Sequence, residues 1–294
     1  MKIKNLYAYS KERFPFINMM LFVILFFTVV SVAQYSIGDW VKIGWKEVAG
    51  AVAVISFFFR LRVFDEIKDY AIDSINHPHR ILQSGKIELK HLIWLSAVST
   101  SAEIAWCVIV GNQVLLCWSI AFGYSLLMRY EFFASAFLKK RLVMYAISHM
   151  LIMPLIITWI WSAYASISLH LGLFLLALLS LLSGFSFEIA RKIHSGDGER
   201  ETVDSYSKTM GYTISILVVL LLVLVGTAVQ FFLLYRIDAT SWSFVTIGGL
   251  YLMILMYYIF LIRNAVEKKL RIAEILVSLF MLVSYLSIIV EINF

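Results

Sequence analysis

The sequence predicts an all-α, polytopic integral membrane protein, and three observations predict it. Apolar residues make up 61% of the 294 and charged residues only 15%; mean hydropathy is +0.86; and apolar runs of spanning length recur from end to end, with basic residues gathered in alternate connections. A soluble domain carries about a quarter charged residues. No water-facing surface accommodates this much apolar side chain, so the solvent is lipid. No polar stretch is long enough for a second globular domain, and residues 1–294 are expected to form a single transmembrane domain.

Taken in order, Met1 to Arg13 is basic, with Lys2, Lys4, Lys11 and Arg13. The order of charge then apolar run suits a secretory leader, but Phe16 to Ala33 is long enough to cross a bilayer and is expected as an uncleaved first helix. Spanning runs fall at about Phe16 to Gln34, Glu47 to Leu61, Leu92 to Val110, Val114 to Met128, Leu142 to Trp161, Leu169 to Phe187, Gly211 to Leu234, Phe244 to Ile262 and Ile272 to Ile292. The expectation is nine transmembrane helices around a central cavity, in two pseudo-related helical bundles. With the N-terminus in the cytosol, every Lys and Arg except Lys42, Lys46 and Arg236 falls at or beyond a cytosolic helix end, as the positive-inside rule requires. The net charge of +6 then reflects loops beside anionic headgroups and needs no nucleic acid. Short connections and no transit-like leader suit a bacterial cytoplasmic membrane. Cys107 and Cys117 lie in apolar runs without His or Cys at ligand spacing and are read as packing residues.

Two cytosolic segments are acidic as well as basic. Arg62 to Lys90 holds Asp65, Glu66, Asp69, Asp73 and Glu88, and Glu188 to Lys208 holds Glu188, Asp197, Glu199, Glu201 and Asp204: ten of the 19 acids in two loops. Asp65, Asp69 and Asp73 recur every four residues, which on a helix leaving the membrane stacks them on one face. Like charges at that spacing repel, by about 0.2–0.5 kcal/mol per pair. A hard divalent cation reverses the sign. Mg²⁺ suits the row because it keeps several waters, takes one or two carboxylates and completes its shell with phosphate oxygens, which points to a diphosphate substrate. The alternative is a solvated helix end, but acids gain nothing from a negatively charged leaflet.

Asp65-Glu66-x-x-Asp69-x-x-x-Asp73, followed by Asn76-His77-Pro78-His79-Arg80-Ile81-Leu82-Gln83-Ser84-Gly85-Lys86-Ile87, resembles the first signature of the UbiA superfamily of membrane prenyltransferases, NDxxDxxxD and then NRPLPSG-I. The stretch Phe187-Glu188-Ile189-Ala190-Arg191-Lys192-Ile193-His194, with Asp197-Gly198-Glu199-Arg200 behind it, is similar to the family's second acidic segment, and Tyr124 to Arg129 to its YPxxKR segment. The resemblance covers essentially the whole chain. It implies transfer of a prenyl group from an isoprenyl diphosphate to a hydrophobic or aromatic acceptor, with Mg²⁺ between the acidic segments and the diphosphate. It further implies a metal set of Asp65, Glu66, Asp69, Asp73, Glu188, Asp197 and Glu199, catalytic roles for Asp69, Asp73 and Arg129, and diphosphate binding by Arg129, Lys192, Arg80 and Arg191. An apolar wall then shelters the allylic cation; the 22 Phe, 15 Tyr and 8 Trp would furnish it through cation–π contacts.

The departures carry chemistry. Lys192 stands where the family has the second acid of its second segment, and Met128 where it has a Lys before Arg129. Lys192 either neutralises diphosphate in a metal's stead or marks an altered reaction. Ile81 and Gln83 replace two prolines, and Arg80 is either a diphosphate ligand or a lipid anchor. Within the membrane, His149, Glu131 and Tyr124 are candidates for the acceptor pocket; a helix-to-helix hydrogen bond is the other reading of His149. Glu103, mid-span, either lines the cavity or pairs with a neighbouring helix. Competing functions are a cyclase of the same superfamily, transfer of a phosphorylated sugar onto a polyprenyl phosphate, and, from another class, a divalent-cation transporter. Transporters place their ionisable site near the midplane, whereas these acids lie at helix ends.

Overall fold

Hydrocarbon offers no partner for backbone amides, so a chain this apolar must satisfy them within each segment. The computed structural model describes residues 3–167, 170–199 and 204–294, and there every ordered element is helical, with no strand. In chain order these are α1 (Ile3–Arg13), α2 (Phe16–Ser36), α3 (Trp45–Asn76), α4 (Leu89–Val110), α5 (Asn112–Arg129), α6 (Ser135–Lys139), α7 (Leu142–Met150), α8 (Ile152–Ser162), α9 (Leu171–Ala190), α10 (Tyr206–Met210), α11 (Tyr212–Arg236), α12 (Ser241–Arg263) and α13 (Glu267–Asn293). Arg200 and Glu201, counted above with the second acidic segment, lie outside the described residues.

Helices cover all nine expected runs. Seven are long and apolar enough to cross a membrane: α2, α4, the α7–α8 pair, α9, α11, α12 and α13. The other two, α3 and α5, are not among them. In α3 the apolar stretch is bounded by Lys46 and Glu47 at one end and Arg60 and Arg62 at the other, and the 18 residues of α5 begin with Asn112-Gln113 and end with Arg129, which lowers their apolarity. The count of nine spans is therefore a proposal. One run is two helices: α7 stops at Met150 and α8 starts at Ile152, where Pro154 lacks the N–H that would continue the ladder and is tolerated only in a first turn.

The chain divides into two compact units, Met1–Phe27 with Val41–Phe132, and Thr28–Trp40 with Phe133–Phe294. In the first, α3 packs on α4 and α5. Gly50 makes the close approach possible: a Cβ there would stand 2.7 Å from both Phe26 and Trp106, so only a hydrogen fits. Gly111 alone links α4 to α5 at φ 149°, a conformation open to glycine and few others. The 32 residues of α3 span about 48 Å at 1.5 Å per residue, well beyond a hydrocarbon core of about 30 Å. Its last turns carry Asp65, Glu66, Asp69 and Asp73.

In the second unit α9 packs against α7, α8, α11 and α13. Its buried Ser180, Ser183 and Ser186 are small enough to let neighbouring backbones close in. The side chain of Gln230 on α11 reaches the Ser284 carbonyl at 3.0 Å and Ser287 Oγ at 3.1 Å on α13.

Candidate active site

The acidic segment of α3 is surrounded by cations of its own chain. Glu66 is buried, and its Oε1 accepts from Arg13 Nε at 2.8 Å, Arg62 Nε at 3.0 Å and Nη2 at 2.6 Å, and the Tyr9 hydroxyl at 3.4 Å. Burial, followed by the Glu66 charge, pushes the Tyr9 hydroxyl well above its ordinary range, so it is a neutral donor. Asp73 accepts from Arg80 Nη1 at 2.5 Å and lies 3.5 Å from Arg13 Nη2. Asp65, half exposed, meets Lys68 at 3.5 Å. Asp69 differs: among the described residues no hydrogen bond or ion pair engages it. Burial raises its carboxyl above the usual range, Lys68 opposes, and the charges of Asp65 and Asp73 add to the rise.

Arg80 reaches Asp73 because the 77–88 loop is braced. The Ile81 amide donates to Glu12 Oε2 at 3.1 Å and Asn5 Nδ2 to the Lys86 carbonyl at 2.5 Å, both from α1. Arg129, at the end of α5, lies over the ring of Phe64 at 5.1 Å and of Tyr130 at 5.3 Å, with no carboxylate partner among the described residues. Phe64 precedes Asp65 on α3, so the same helix carries Asp69 and seats Arg129. After Arg129 the chain makes a left-handed turn, with φ of 48°, 54° and 56° at Glu131, Phe132 and Phe133; such backbone costs about 1–2 kcal/mol per residue and gathers at functional sites. Glu131 is buried there, and Tyr124 meets Phe132 edge-on at 5.4 Å.

The second acidic segment lies in the second unit and is largely self-neutralised. Glu188, buried at the end of α9, takes Lys192 Nζ at 2.7 Å on Oε1 and Arg191 Nε at 2.7 Å on Oε2. Lys192 also stands 5.8 Å from the centroid of the Tyr145 ring, which stacks on His149 at 3.8 Å. His149 Nδ1 lies 2.8 Å from the Tyr145 carbonyl. Glu199 accepts from Ser205 Oγ at 2.8 Å and Lys208 is 3.7 Å away; Asp197 stands exposed on a single 3₁₀ turn. The loop is clamped by Glu267 of α13, which meets His194 Nδ1 at 2.9 Å, the Ser195 amide at 3.1 Å and Arg271 at 2.6 Å.

Among the described residues no three His, Cys, Asp or Glu stand close enough together to hold a metal ion. The donor set nonetheless fits a Mg²⁺ that keeps most of its waters, because Asp69 is an unengaged oxygen donor with Asp65 four residues away on the same helix. Glu188, closed by two cations, does not offer that. Sequence reasoning missed Arg13, Arg62, Glu267 and Arg271 as members of these networks, and it left the role of Glu103 open. Glu103 is fully buried and takes Arg60 at 2.5 Å and the Trp118 indole N–H at 2.8 Å, an ion pair between α3 and α4 with α5 in attendance. The legible signal was that Arg60 and Glu103 are both charged residues inside apolar runs and require a partner.

The model of the UbiA prenyltransferase family matches residues 16–283. The chain belongs to that family. Over 78 residues it is 31% identical to the bacteriochlorophyll synthase 34 kDa chain of Chloroflexus aurantiacus, a stretch covering 24% of this chain and 25% of that protein. The fold is similar to a structure of digeranylgeranylglyceryl phosphate synthase, with TM-score 0.70, 19% identity and 99% of both chains covered. It is also similar to an apo UbiA homologue from Aeropyrum pernix K1, with TM-score 0.64, 15% identity, and 88% of this chain and 95% of that one covered. A UbiA homologue from Archaeoglobus fulgidus bound to GPP and Mg²⁺ gives TM-score 0.52 at 12% identity, with 92% and 97% covered.

Proposed function

We propose that this protein transfers a prenyl group from an isoprenyl diphosphate to an aromatic or lipid acceptor within the membrane, in a Mg²⁺-dependent reaction. The observation that carries it is an unengaged carboxylate, Asp69, in the acidic segment of α3, whose Phe64 also seats the guanidinium of Arg129 from α5. Family membership supports it, and so does the Archaeoglobus homologue, which holds a prenyl diphosphate with the metal. Mg²⁺, held by Asp69 and Asp65, would supply positive charge to a leaving diphosphate and so favour ionisation of the carbon–oxygen bond. Asp69, with Asp65, is the chain's oxygen donor to the ion. Arg129, fixed by two rings, would take a diphosphate oxygen without competing carboxylate, and Arg80, held on Asp73, is a further candidate. Lys192 and Arg191 are further candidates for the diphosphate, while Tyr124, Glu131 and His149 are those for the acceptor. The donor end of this arrangement faces the cytosol.

The test mixes protein in nanodiscs with Mg²⁺ and labelled geranyl, farnesyl or geranylgeranyl diphosphate, with and without an aromatic acceptor pool. Diphosphate release that needs Mg²⁺ and is lost in Asp69→Ala supports the reading; no release from any donor removes it. A second reading is cyclisation without an acceptor; Lys192, paired with Glu188, alters how the second segment meets a diphosphate under either reading. Release that is indifferent to acceptor would select it.

A further inference from the structure

Helix α1 is built into the first unit by part of its surface and leaves the rest turned outward. Leu6 and Tyr9 pack into a core with Val63, Leu82, Ile87 and Leu92. Asn5 and Glu12 hold the 77–88 loop, and Arg13 meets Glu66 at 2.8 Å. Of the remainder, Ile3 and Tyr7 are 85% and 71% exposed, and Lys4 and Lys11 are exposed beside them. Tyr7 stands three residues after Lys4 and four before Lys11, so the three share one edge of the helix. Large apolar side chains exposed next to lysines are the composition of a helix lying in a membrane interface, its apolar side in the acyl layer and its ammonium groups among the headgroups.

That edge borders a groove. Its volume is about 410 Å³, within the range of about 300–1,000 Å³ typical of ligand pockets. Helices α1, α2, α3 and α4, all in the first unit, enclose it, with Ile3, Tyr7, Ser10, Phe59, Leu95 and Ser99 in its walls. Among the described residues no charged side chain lines it, and the Ser10 hydroxyl already donates to the Phe14 carbonyl at 3.0 Å. The interior therefore suits hydrocarbon. The rim suits an anion, because Tyr7 is both a wall of the groove and the neighbour of Lys4 and Lys11, and neither lysine meets a carboxylate among the described residues.

We propose that this groove is a binding site for one anionic phospholipid, with an acyl chain between α1 and α4 and the phosphate on Lys4 and Lys11. A lysine near an anionic leaflet is by itself ordinary; two of them on the lip of a concave apolar groove hold a headgroup directly over the place its chain can enter. The lipid lies on the side of α1 away from Asn5 and Glu12, and so steadies the helix that braces the 77–88 loop. The site is separate from the reaction proposed above and stands or falls without it.

The experiment places full-length protein in nanodiscs of phosphatidylcholine with phosphatidylglycerol of the same acyl chains, and reads the lipid retained on release by native mass spectrometry. The wild type is expected to keep one phosphatidylglycerol in preference to phosphatidylcholine. Lys4→Gln with Lys11→Gln is expected to weaken that preference about 30-fold, since each lysine near an anionic headgroup contributes about fivefold. Ser99→Phe fills the groove with both lysines in place and is expected to lose the lipid. Thermal unfolding supplies the second readout: phosphatidylglycerol is expected to raise the melting temperature of the wild type and leave both variants unmoved. The lysine variant alters only exposed side chains, so the test survives if Ser99→Phe does not fold. Equal retention of the two lipids by the wild type overturns the proposal, as does undiminished retention of phosphatidylglycerol in the lysine variant or in folded Ser99→Phe. A two-chain mass that Ser99→Phe abolishes also overturns it, since it would assign the groove to a second copy of the protein.

Discussion

Asp69 is an acid kept ready at a cost. Burial first, and then Asp65 and Asp73 against the pull of Lys68, raise its carboxyl above its ordinary value of 3.8. The folded chain therefore retains that proton to higher pH than the unfolded chain, and stability falls as pH rises from the unfolded value through the folded one. Above that window the ion-free protein carries the full penalty. Asp69→Asn is expected to melt higher than the wild type at neutral pH without divalent ions, and to lose that advantage below the window. Mg²⁺ with diphosphate is expected to raise the wild-type melting temperature and leave the variant unmoved. Identical ion-free pH profiles for the two proteins would show that Asp69 carries no such strain. Protons compete with metal at the same oxygen, so Mg²⁺ binding is expected to weaken as the pH falls. The row itself was legible in the sequence because a four-residue spacing is local. Its cation partners were not: Glu66 meets Arg13 across 53 positions, and His194 meets Glu267 across 73. No period or motif encodes a contact that only folding creates.

Helices were the most legible level, since length and apolarity decide them, yet what fixes one helix against another was mostly invisible. Arg60 and Glu103 show the difference. Each reads as an isolated charge in an apolar run, but together they form a buried pair with Trp118 and Thr100, and the Phe57 and Phe122 rings lie 4.3 and 4.8 Å from the guanidinium. Two and a half turns beyond Arg60 comes Asp69, so a pair that fixes the rotation of α3 also fixes the direction of its acids. Glu103→Ala strands a buried guanidinium and is expected to destabilise the protein by about 3–5 kcal/mol. Arg60→Met with Glu103→Leu is expected to recover most of that, because an apolar pair replaces both desolvated charges. A double-mutant cycle on unfolding in nanodiscs measures it; a double variant as unstable as Glu103→Ala would show that the helices need the charges themselves. Gly50 fixes the same helix by shape. A methyl there would fall within 2.8 Å of Phe26 and Trp106 ring atoms, and Gly50→Ala is expected to cost about 1–3 kcal/mol by overpacking. Unchanged melting of that variant would mean the two rings move aside freely.

Across the whole molecule, topology depends on the two helices that charged and polar residues set apart from the seven apolar ones. If α3 crosses the bilayer, its buried Arg60–Glu103 pair explains how a helix holding Lys46, Glu47, Arg60 and Arg62 tolerates lipid: the inner charges neutralise each other and the outer ones reach the headgroups. If α5 crosses as well, the chain has nine spans, and the basic N-terminus shares a side with His79 and Lys140. Single cysteines report this directly once the buried Cys107 and Cys117 are replaced by alanine. Cysteines in place of His79 and Lys140 are expected to react with a membrane-impermeant maleimide only in inside-out vesicles, and those in place of Asp39 and Asn112 only in intact cells. Labelling of positions 39 and 79 from one side would remove α3 from the spans, and labelling of 112 and 140 from one side would remove α5. The first outcome bears on chemistry as well as count. Asp69 would then sit on a helix lying along the membrane instead of one emerging from it, and a diphosphate arriving from the cytosol would no longer meet the acids at the end of a span.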